Sequence, residues 1–271
     1  DYVEAHVNLG VALRILGRLD EAEAVYRQVI TLKPDYFMAY NNLGITLKEL
    51  GLLEEAEVSF RQAVTLNFGY IEAHSNLGGT HRELGKPEDA EVSLRRAIAL
   101  NPHFAEAHYC LGNTLKDLGR LEEAEASYKR TIELKSDYAE AHRNLASMKK
   151  FFLQDEQYLK MQELYADESI SDEQRCHLNF GLAKACEDIG DFEQAFEHFR
   201  QGNALRKKSL DYDIQQDMEF FRQIKSSYAK IKEIVATGWK VTNNVAPIFI
   251  VGMPRSGTTL VEQIISSHSQ V

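Results

Sequence analysis

The chain has 271 residues, of which 44% are hydrophobic and 27% charged, and its formal net charge is −10 at pH 7. The charge is uneven, because residues 1–199 carry 21 Lys and Arg against 35 Asp and Glu, whereas residues 200–271 carry ten against six. An acidic first part disfavours nucleic acid and anionic membranes as partners and favours basic or neutral peptides, although a solvated surface rich in Glu explains much of the same imbalance.

A period of 34 residues dominates the first 150 residues. Leu-Gly pairs recur at this spacing, and a second glycine follows seven residues later, where the pattern predicts a turn between two helices. The pairs are Leu9-Gly10, Leu43-Gly44, Leu77-Gly78 and Leu111-Gly112, with a degenerate Leu145-Ala146, and the turn glycines are Gly17, Gly51, Gly85 and Gly119. Small residues at fixed positions let antiparallel helices approach closely. This pattern resembles the tetratricopeptide repeat, a helix-turn-helix unit.

The regular units span residues 1–149. Residues 150–170 keep helical apolar spacing but lose the signature glycine, which predicts an irregular helix pair. A further unit is predicted at residues 171–208, where Ser171 and Gln174 form a capping-box start. Residues 1–209 are therefore expected to form an α-solenoid of antiparallel helix pairs.

Asparagine recurs at one position of the first helix in four units, at Asn8, Asn42, Asn76 and Asn144, with Cys110 in the fourth unit. In a solenoid the first helices line the inner face, which usually holds extended peptides. Because asparagine both donates and accepts, a row of them can pair with a peptide backbone of any sequence. The row resembles the asparagine ladder of the O-GlcNAc transferases. Alternatively, these residues complete a repeat pattern and face water.

Histidine recurs two residues before this asparagine, at His6, His74, His108 and His142, with Tyr40 in the second unit. Equivalent positions in neighbouring units lie about 10 Å apart, whereas zinc requires imidazole nitrogens at about 2 Å. We therefore predict packing residues and no metal site. Three cysteines, Cys110, Cys176 and Cys186, lack paired metal spacing and are expected to be reduced thiols.

Residues 210–245 are predicted to form a connecting helix and a linker, because apolar residues recur at helical spacing from Ile214 to Val235. No stretch approaches the roughly 20 apolar residues of a membrane helix, and no signal sequence opens the chain. We therefore expect a cytoplasmic protein that does not associate with membranes.

Residues 246–271 begin a second domain with the sequence PIFIVGMPRSGTTL at 247–260. Residues 248–251 have the content of a buried strand, a glycine-bounded loop follows, and helical spacing resumes at Thr258. Such a loop directs backbone N–H groups and a helix N-terminus at one anion. The spacing is nearly that of a nucleotide P-loop, but Thr258 stands where the lysine should be, which argues against triphosphate hydrolysis.

The PRSGTT loop after a hydrophobic strand resembles the 5′-phosphosulfate-binding loop of sulfotransferases that use 3′-phosphoadenosine-5′-phosphosulfate (PAPS), in the form found in protein-tyrosine sulfotransferases. The resemblance implies that the donor is wrapped by Arg255, Ser256, Gly257, Thr258 and Thr259. It also implies that Arg255 stabilises charge on the bridging oxygen. The general base of that family and its 3′-phosphate anchors would lie beyond Val271, so residues 1–271 alone are expected to be an inactive fragment.

Together these features predict a mainly α protein, a solenoid followed by the first strand, loop and helix of an α/β P-loop-like domain. The function favoured is transfer of a sulfuryl group from PAPS, without a metal, to a hydroxyl, which a protein or peptide in the groove could carry. Two alternatives remain. The chain could be an interaction scaffold without catalysis, or the loop could belong to an unusual P-loop kinase or nucleotidase. The alternative for the loop alone is a plain strand, turn and helix with a chance Ser-Gly-Thr-Thr, which the coincidence of strand, loop chemistry and helix start disfavours.

Overall fold

A computed structural model describes residues 2–210, 213–215 and 217–225. The chain divides into two units, Asp1–Asp211 and Tyr212–Val271, and each is described by itself. The described part of the first unit is helical. Its helices are α1 (Tyr2–Ile15), α2 (Leu19–Leu32), α3 (Phe37–Glu49), α4 (Leu53–Leu66), α5 (Ile71–Glu83), α6 (Pro87–Leu100), α7 (Ala105–Asp117), α8 (Leu121–Leu134), α9 (Ala139–Ala146), α10 (Glu156–Ala166), α11 (Asp172–Ile189) and α12 (Phe192–Ser209).

The predicted turn glycines end the first helix of each regular unit. Gly51 has φ of +79°, its N–H donates to the carbonyl of Lys48 at 3.0 Å, and the N–H of Leu52 donates to the carbonyl of Leu47 at 2.8 Å. This is the Schellman arrangement, which satisfies the last helical carbonyls and requires a left-handed residue. The same pair of bonds recurs at Gly17, Gly85 and Gly119, so the turn prediction is confirmed.

The glycine of each Leu-Gly pair lies against a large residue of the second helix. A Cβ built on Gly44 would lie 2.7 Å from Cε1 of Phe60, which is far inside van der Waals contact. Phe60 is fully buried, and its ring rests on the surface of α3 that the glycine leaves bare. Three further pairs repeat this contact: Gly10 with Tyr26, Gly78 with Leu94 and Gly112 with Tyr128. Each unit therefore buries one large side chain between two closely spaced helices.

The repeated histidines secure the loops between units. Nε2 of His74 donates to the carbonyl of Phe68 at 3.0 Å, and Nε2 of His142 donates to that of Ser136 at 2.9 Å. His108 makes the same bond to Pro102 at 3.0 Å. Each bond ties the first helix of a unit to the loop that precedes it, so the prediction of packing residues is confirmed for these three. Nδ1 of His6 instead donates to the carbonyl of Tyr2 within α1, at 2.8 Å.

The regular pattern ends after α9. Residues 150–170, where the sequence predicts an irregular helix pair, contain one helix, α10. The buried Phe151 provides the reason, because its N–H donates to Oδ2 of Asp188 at 3.0 Å and holds the chain away from a helical path. Met161 of α10 then lies against Gly181 of α11, where an added Cβ would be 2.8 Å from its sulfur.

The last unit begins at the predicted capping box, in which Ser171 and Gln174 bond reciprocally. Its two helices, α11 and α12, are joined at Gly190, which has φ of +85°. In the second unit of the chain, residues 217–225 are helical, within the predicted connecting helix. The rest of that prediction and the predicted strand and loop lie outside the described residues. Within the described ranges, no helix combines the length and hydropathy needed to cross a membrane.

The glycine contact predicts a stability effect. Gly44→Ala should lower the free energy of unfolding by about 1–3 kcal/mol, because the new methyl group overpacks the site held by Phe60. Urea unfolding followed by circular dichroism measures the loss. Gly69→Ala is the matched control, since a Cβ at this exposed loop position would meet only Oδ1 of Asn67 at 3.5 Å. Equal losses in the two variants would contradict the packing argument.

The loop histidines predict a pH effect. Burial lowers the pKa of His74, His108 and His142, so the unfolded chain binds more protons than the folded chain once the pH falls below about 6.5. The free energy of unfolding should therefore be full above that pH and decrease as the pH falls from about 6.5 to 5. Replacement of all three by Tyr, which stands at the equivalent position 40, should flatten the dependence in chemical unfolding measured at each pH. An unchanged slope would contradict this assignment.

Candidate functional site

The first helices of successive units lie side by side and form one surface. Three ion pairs join a cation near the end of one first helix to an acid 35 residues later in the next. They are Arg14 with Glu49 at 2.7 Å, Lys48 with Glu83 at 2.9 Å and Arg82 with Asp117 at 3.2 Å. We call the solvent-accessible side of α1, α3, α5, α7 and α9 that carries these pairs the first-helix face.

The predicted asparagine row lies on this face, and the structure adds partners that the sequence does not reveal. Nδ2 of Asn76 donates to Oδ1 of the buried Asn41 at 2.9 Å. Nδ2 of Asn144 donates to Oδ1 of Asn113 at 2.9 Å. Two of the four asparagines are thus fixed by the preceding unit, with the amide nitrogen used and the amide oxygen without a partner among the described residues.

The other two asparagines differ. Asn8 is exposed and Asn42 half-buried, and neither side chain makes a hydrogen bond within the described part of the chain. Cys110 stands at the equivalent position of the fourth unit, and burial raises the pKa of its thiol. The row is therefore a set of two fixed and two unengaged amides rather than a uniform ladder.

A polar network supports Asn144. Asn113 accepts from the hydroxyl of Tyr128 at 2.8 Å as well as from Asn144, and Nδ2 of Asn144 lies 3.4 Å from the hydroxyl of Tyr109. Tyr109 packs against Tyr138 with ring centroids 4.9 Å apart. Burial raises the pKa of Tyr109 and Tyr138, so both are neutral hydroxyl groups at physiological pH. These contacts hold the asparagine side chain in one position.

In four units a glutamate stands one helical turn before the asparagine position. Glu4, Glu72, Glu106 and Glu140 occupy this position, and Met38 replaces them in the second unit. Nζ of Lys135 lies 3.8 Å from Glu106, whereas Glu72 has no ion-pair partner among the described residues. The face therefore carries a row of negative charge beside its amides.

One group at the end of the face has the ligand types of a metal site. Ligand atoms of Glu140, Glu173 and His177 all lie within 4.8 Å of one another. However, Nη1 of Arg143 lies 3.2 Å from Nδ1 of His177, and burial lowers the pKa of this histidine, so a neutral imidazole accepts from the guanidinium. Arg143 therefore already pairs with this histidine and offsets part of the negative charge of the two carboxylates.

The predicted donor-binding residues, Arg255, Ser256, Gly257, Thr258 and Thr259, lie outside the described residues. Their geometry therefore contributes nothing to the site described above, and their assignment remains a prediction.

Models of the tetratricopeptide repeat match residues 10–51, 39–70, 75–139 and 111–148. Residues 10–148 are tetratricopeptide repeats. The helix pairs, Schellman turns and glycine contacts described above are the physical form of these repeats. A model described as the sulfotransferase family matches residues 247–271, which include the PRSGTT loop.

Similar proteins support the fold. A protein of Aquifex aeolicus (strain VF5) recorded as uncharacterized is 33% identical over 131 residues, which are 46% of this chain and 16% of that protein. The match therefore spans a small part of this relative. Among solved structures, Pseudomonas aeruginosa pilF has a TM-score of 0.59 and 19% identity, covering 80% of this chain and 97% of its own. TTC0263, a tetratricopeptide-repeat protein of Thermus thermophilus, has a TM-score of 0.50 and 25% identity over 73% of this chain and 98% of its own.

Proposed function

We propose that the array of repeat units binds extended segments of other proteins along the first-helix face. Arrays of this type present long surfaces to partners rather than enclosed pockets. The observation that carries the proposal is the fixed position of Asn76, whose amide nitrogen is bonded to Asn41 at 2.9 Å. A side chain already held in place loses little conformational entropy when a partner binds. Its amide oxygen can then accept a backbone N–H from an extended segment.

The charge of the first-helix face determines which class of peptide segment can bind. The carboxylates of Glu4, Glu72, Glu106 and Glu140 disfavour acidic partners, and three cations of the face, those of Arg14, Lys48 and Arg82, are paired with acids of the next unit. Backbone recognition by asparagine places no demand on side-chain sequence. We therefore expect neutral or basic segments of varied sequence to bind.

This proposal predicts a loss of binding in an asparagine variant. A library of random 12-residue peptides displayed on phage serves as the probe, and peptides enriched by the native chain are synthesised and titrated by calorimetry. The double variant Asn42→Ala and Asn76→Ala should bind them about tenfold or more weakly. The reason is that two hydrogen bonds between the side-chain amides and the backbone of the bound peptide are lost. Asn203→Ala, an exposed position on α12, is the control. Unchanged affinity of the double variant would rule out recognition by the asparagine row.

We further propose that the repeats serve a sulfotransferase whose domain begins near residue 247. The match of residues 247–271 to the sulfotransferase family favours this activity, and the same residues contain a glycine-bounded loop with an internal arginine. In the proposed reaction the acceptor hydroxyl attacks sulfur, the bond from sulfur to the bridging phosphate oxygen breaks, and a general base takes the hydroxyl proton. Arg255 would stabilise the negative charge that develops on the bridging oxygen, and Ser256, Gly257, Thr258 and Thr259 would bind the phosphosulfate of PAPS.

Removal of Arg255 tests this activity. In the intact protein, Arg255→Ala should reduce transfer of labelled sulfate from PAPS to protein acceptors by about 100-fold or more. The reason is that one preorganised donor that stabilises the developing charge is lost. Arg130→Ala is the matched control, since the one ion pair of Arg130 within the described residues is with the exposed Glu133 on α8, at 2.8 Å. Native rates in the Arg255 variant would refute its role. Absence of transfer by the native protein would contradict the sulfotransferase proposal and leave the binding proposal unaffected.

A further inference from the structure

The fourth unit carries an aromatic residue at one position of the first-helix face where the other regular units carry none. Tyr109 stands on α7, three residues after Glu106, so both side chains lie on the same side of that helix. The equivalent residues of the other units, 34 residues apart, are Val7, Asn41, Ser75 and Arg143. Because these five side chains differ widely in size and charge, the packing of the repeat does not dictate the tyrosine.

Neighbouring side chains hold the ring of Tyr109 in place. Its centroid lies 4.9 Å from that of Tyr138, and its hydroxyl lies 3.4 Å from Nδ2 of Asn144. Tyr109 is only half-buried, so part of the residue is accessible to a partner. A ring that is already fixed loses little conformational entropy when another group packs against it.

Two carboxylates accompany this ring. Glu106 precedes Tyr109 by one turn of α7, and Glu140 precedes Asn144, which contacts the hydroxyl of Tyr109, by one turn of α9. Burial raises the pKa of Tyr109, and the negative charge of Glu140 adds to the rise. Burial likewise raises the pKa of Tyr138, to which Glu140 and Glu106 both add. The two acids are therefore close enough to act electrostatically on the tyrosines.

The arginine on the same helix as Glu140 is directed toward the last unit. The guanidinium of Arg143 bonds to Nδ1 of His177 at 3.2 Å and lies over the ring of Phe180, 5.3 Å from its centroid. Glu140 forms no ion pair within the described residues. Its negative charge therefore remains available to a cation of a binding partner.

A lysine of the chain illustrates the chemistry of these groups. Nζ of Lys135 lies 3.8 Å from Glu106 and 5.3 Å from the ring centroid of Tyr138. An ammonium group is thus held by one carboxylate and one tyrosine ring, which both attract it. Glu140 and Tyr109 provide the same two kinds of group, on the accessible side of neighbouring first helices.

We propose that Glu106, Tyr109 and Glu140 form a site, which we call the Tyr109 site, for one basic side chain of a bound segment. The cationic group of that side chain packs against the ring and pairs with Glu140. The amide oxygen of Asn144 accepts an N–H of the same segment. This inference rests on the proposed peptide binding and adds the class of residue that the segment carries at one position.

Three variants separate the Tyr109 site from the general charge of the face. Glu140→Gln removes one charge with little change of shape, and Tyr109→Ser copies the third unit, in which Ser75 stands at this position. Glu72→Gln is the matched control. It removes an equal charge from the equivalent position of the third unit, where no aromatic ring is present.

The experiment uses the peptides that the native chain enriches from the random 12-residue display library, which should share one basic position. In calorimetric titration Glu140→Gln and Tyr109→Ser should bind them about tenfold more weakly than the native chain, and Glu72→Gln nearly as well as the native chain. The shared basic residue is then replaced by an uncharged one of similar length, citrulline for arginine or norleucine for lysine. This replacement should weaken binding to the native chain about tenfold and binding to Glu140→Gln very little.

Two results would overturn the Tyr109 site while peptide binding stands. The first is a set of enriched peptides without a shared basic position. The second is an equal effect of Glu140→Gln and Glu72→Gln, which would indicate a general effect of charge. If the native chain enriches no peptide, the proposed binding function itself fails.

Discussion

The repeat unit depends on the contact between a glycine of each first helix and a large side chain of the second. At Gly44 a Cβ would lie 2.7 Å from the ring of Phe60, so the two helices can pack at this distance only because the side chain is absent. The same contact at Tyr26, Leu94 and Tyr128 fixes the relation of the helices in the other regular units. Ion pairs between successive first helices then join one unit to the next along the surface that they share.

Local rules in the sequence predict most of the fold. The positive φ of Gly17 and its equivalents is required by the Schellman turn, and the capping box of Ser171 and Gln174 is a short-range pattern. The region after α9 is different, because the bond between Phe151 and Asp188 joins residues 37 apart. No periodicity encodes that contact, so residues 150–170 hold one helix where the sequence predicts a pair.

The candidate site likewise combines features that the sequence predicts with contacts that only the structure shows. The asparagine row can be predicted from the period of 34, but the partners of Asn76 and Asn144 are Asn41 and Asn113 of the preceding units, which are visible only after the units are stacked. The loop at residues 255–259 is predicted by its motif and lies outside the described residues.

The array of repeat units and the loop at residues 255–259 would perform different parts of one proposed activity. The first-helix face would bind the backbone of a partner protein, and the loop of the following domain would hold the sulfate donor. Two fixed amides, of Asn76 and Asn144, with few demands on side-chain sequence suit the binding of segments of varied sequence.

The coupling free energy between Gly44 and Phe60 tests the structural account most directly, and a double-mutant cycle in urea measures it. Gly44→Ala should lower the free energy of unfolding in the native background, where the ring of Phe60 occupies the space. In a Phe60→Ala background the same change should be neutral or stabilising, because the obstacle is gone and alanine favours the helix. An equal loss in both backgrounds would contradict the claim that this contact sets the spacing of the helices.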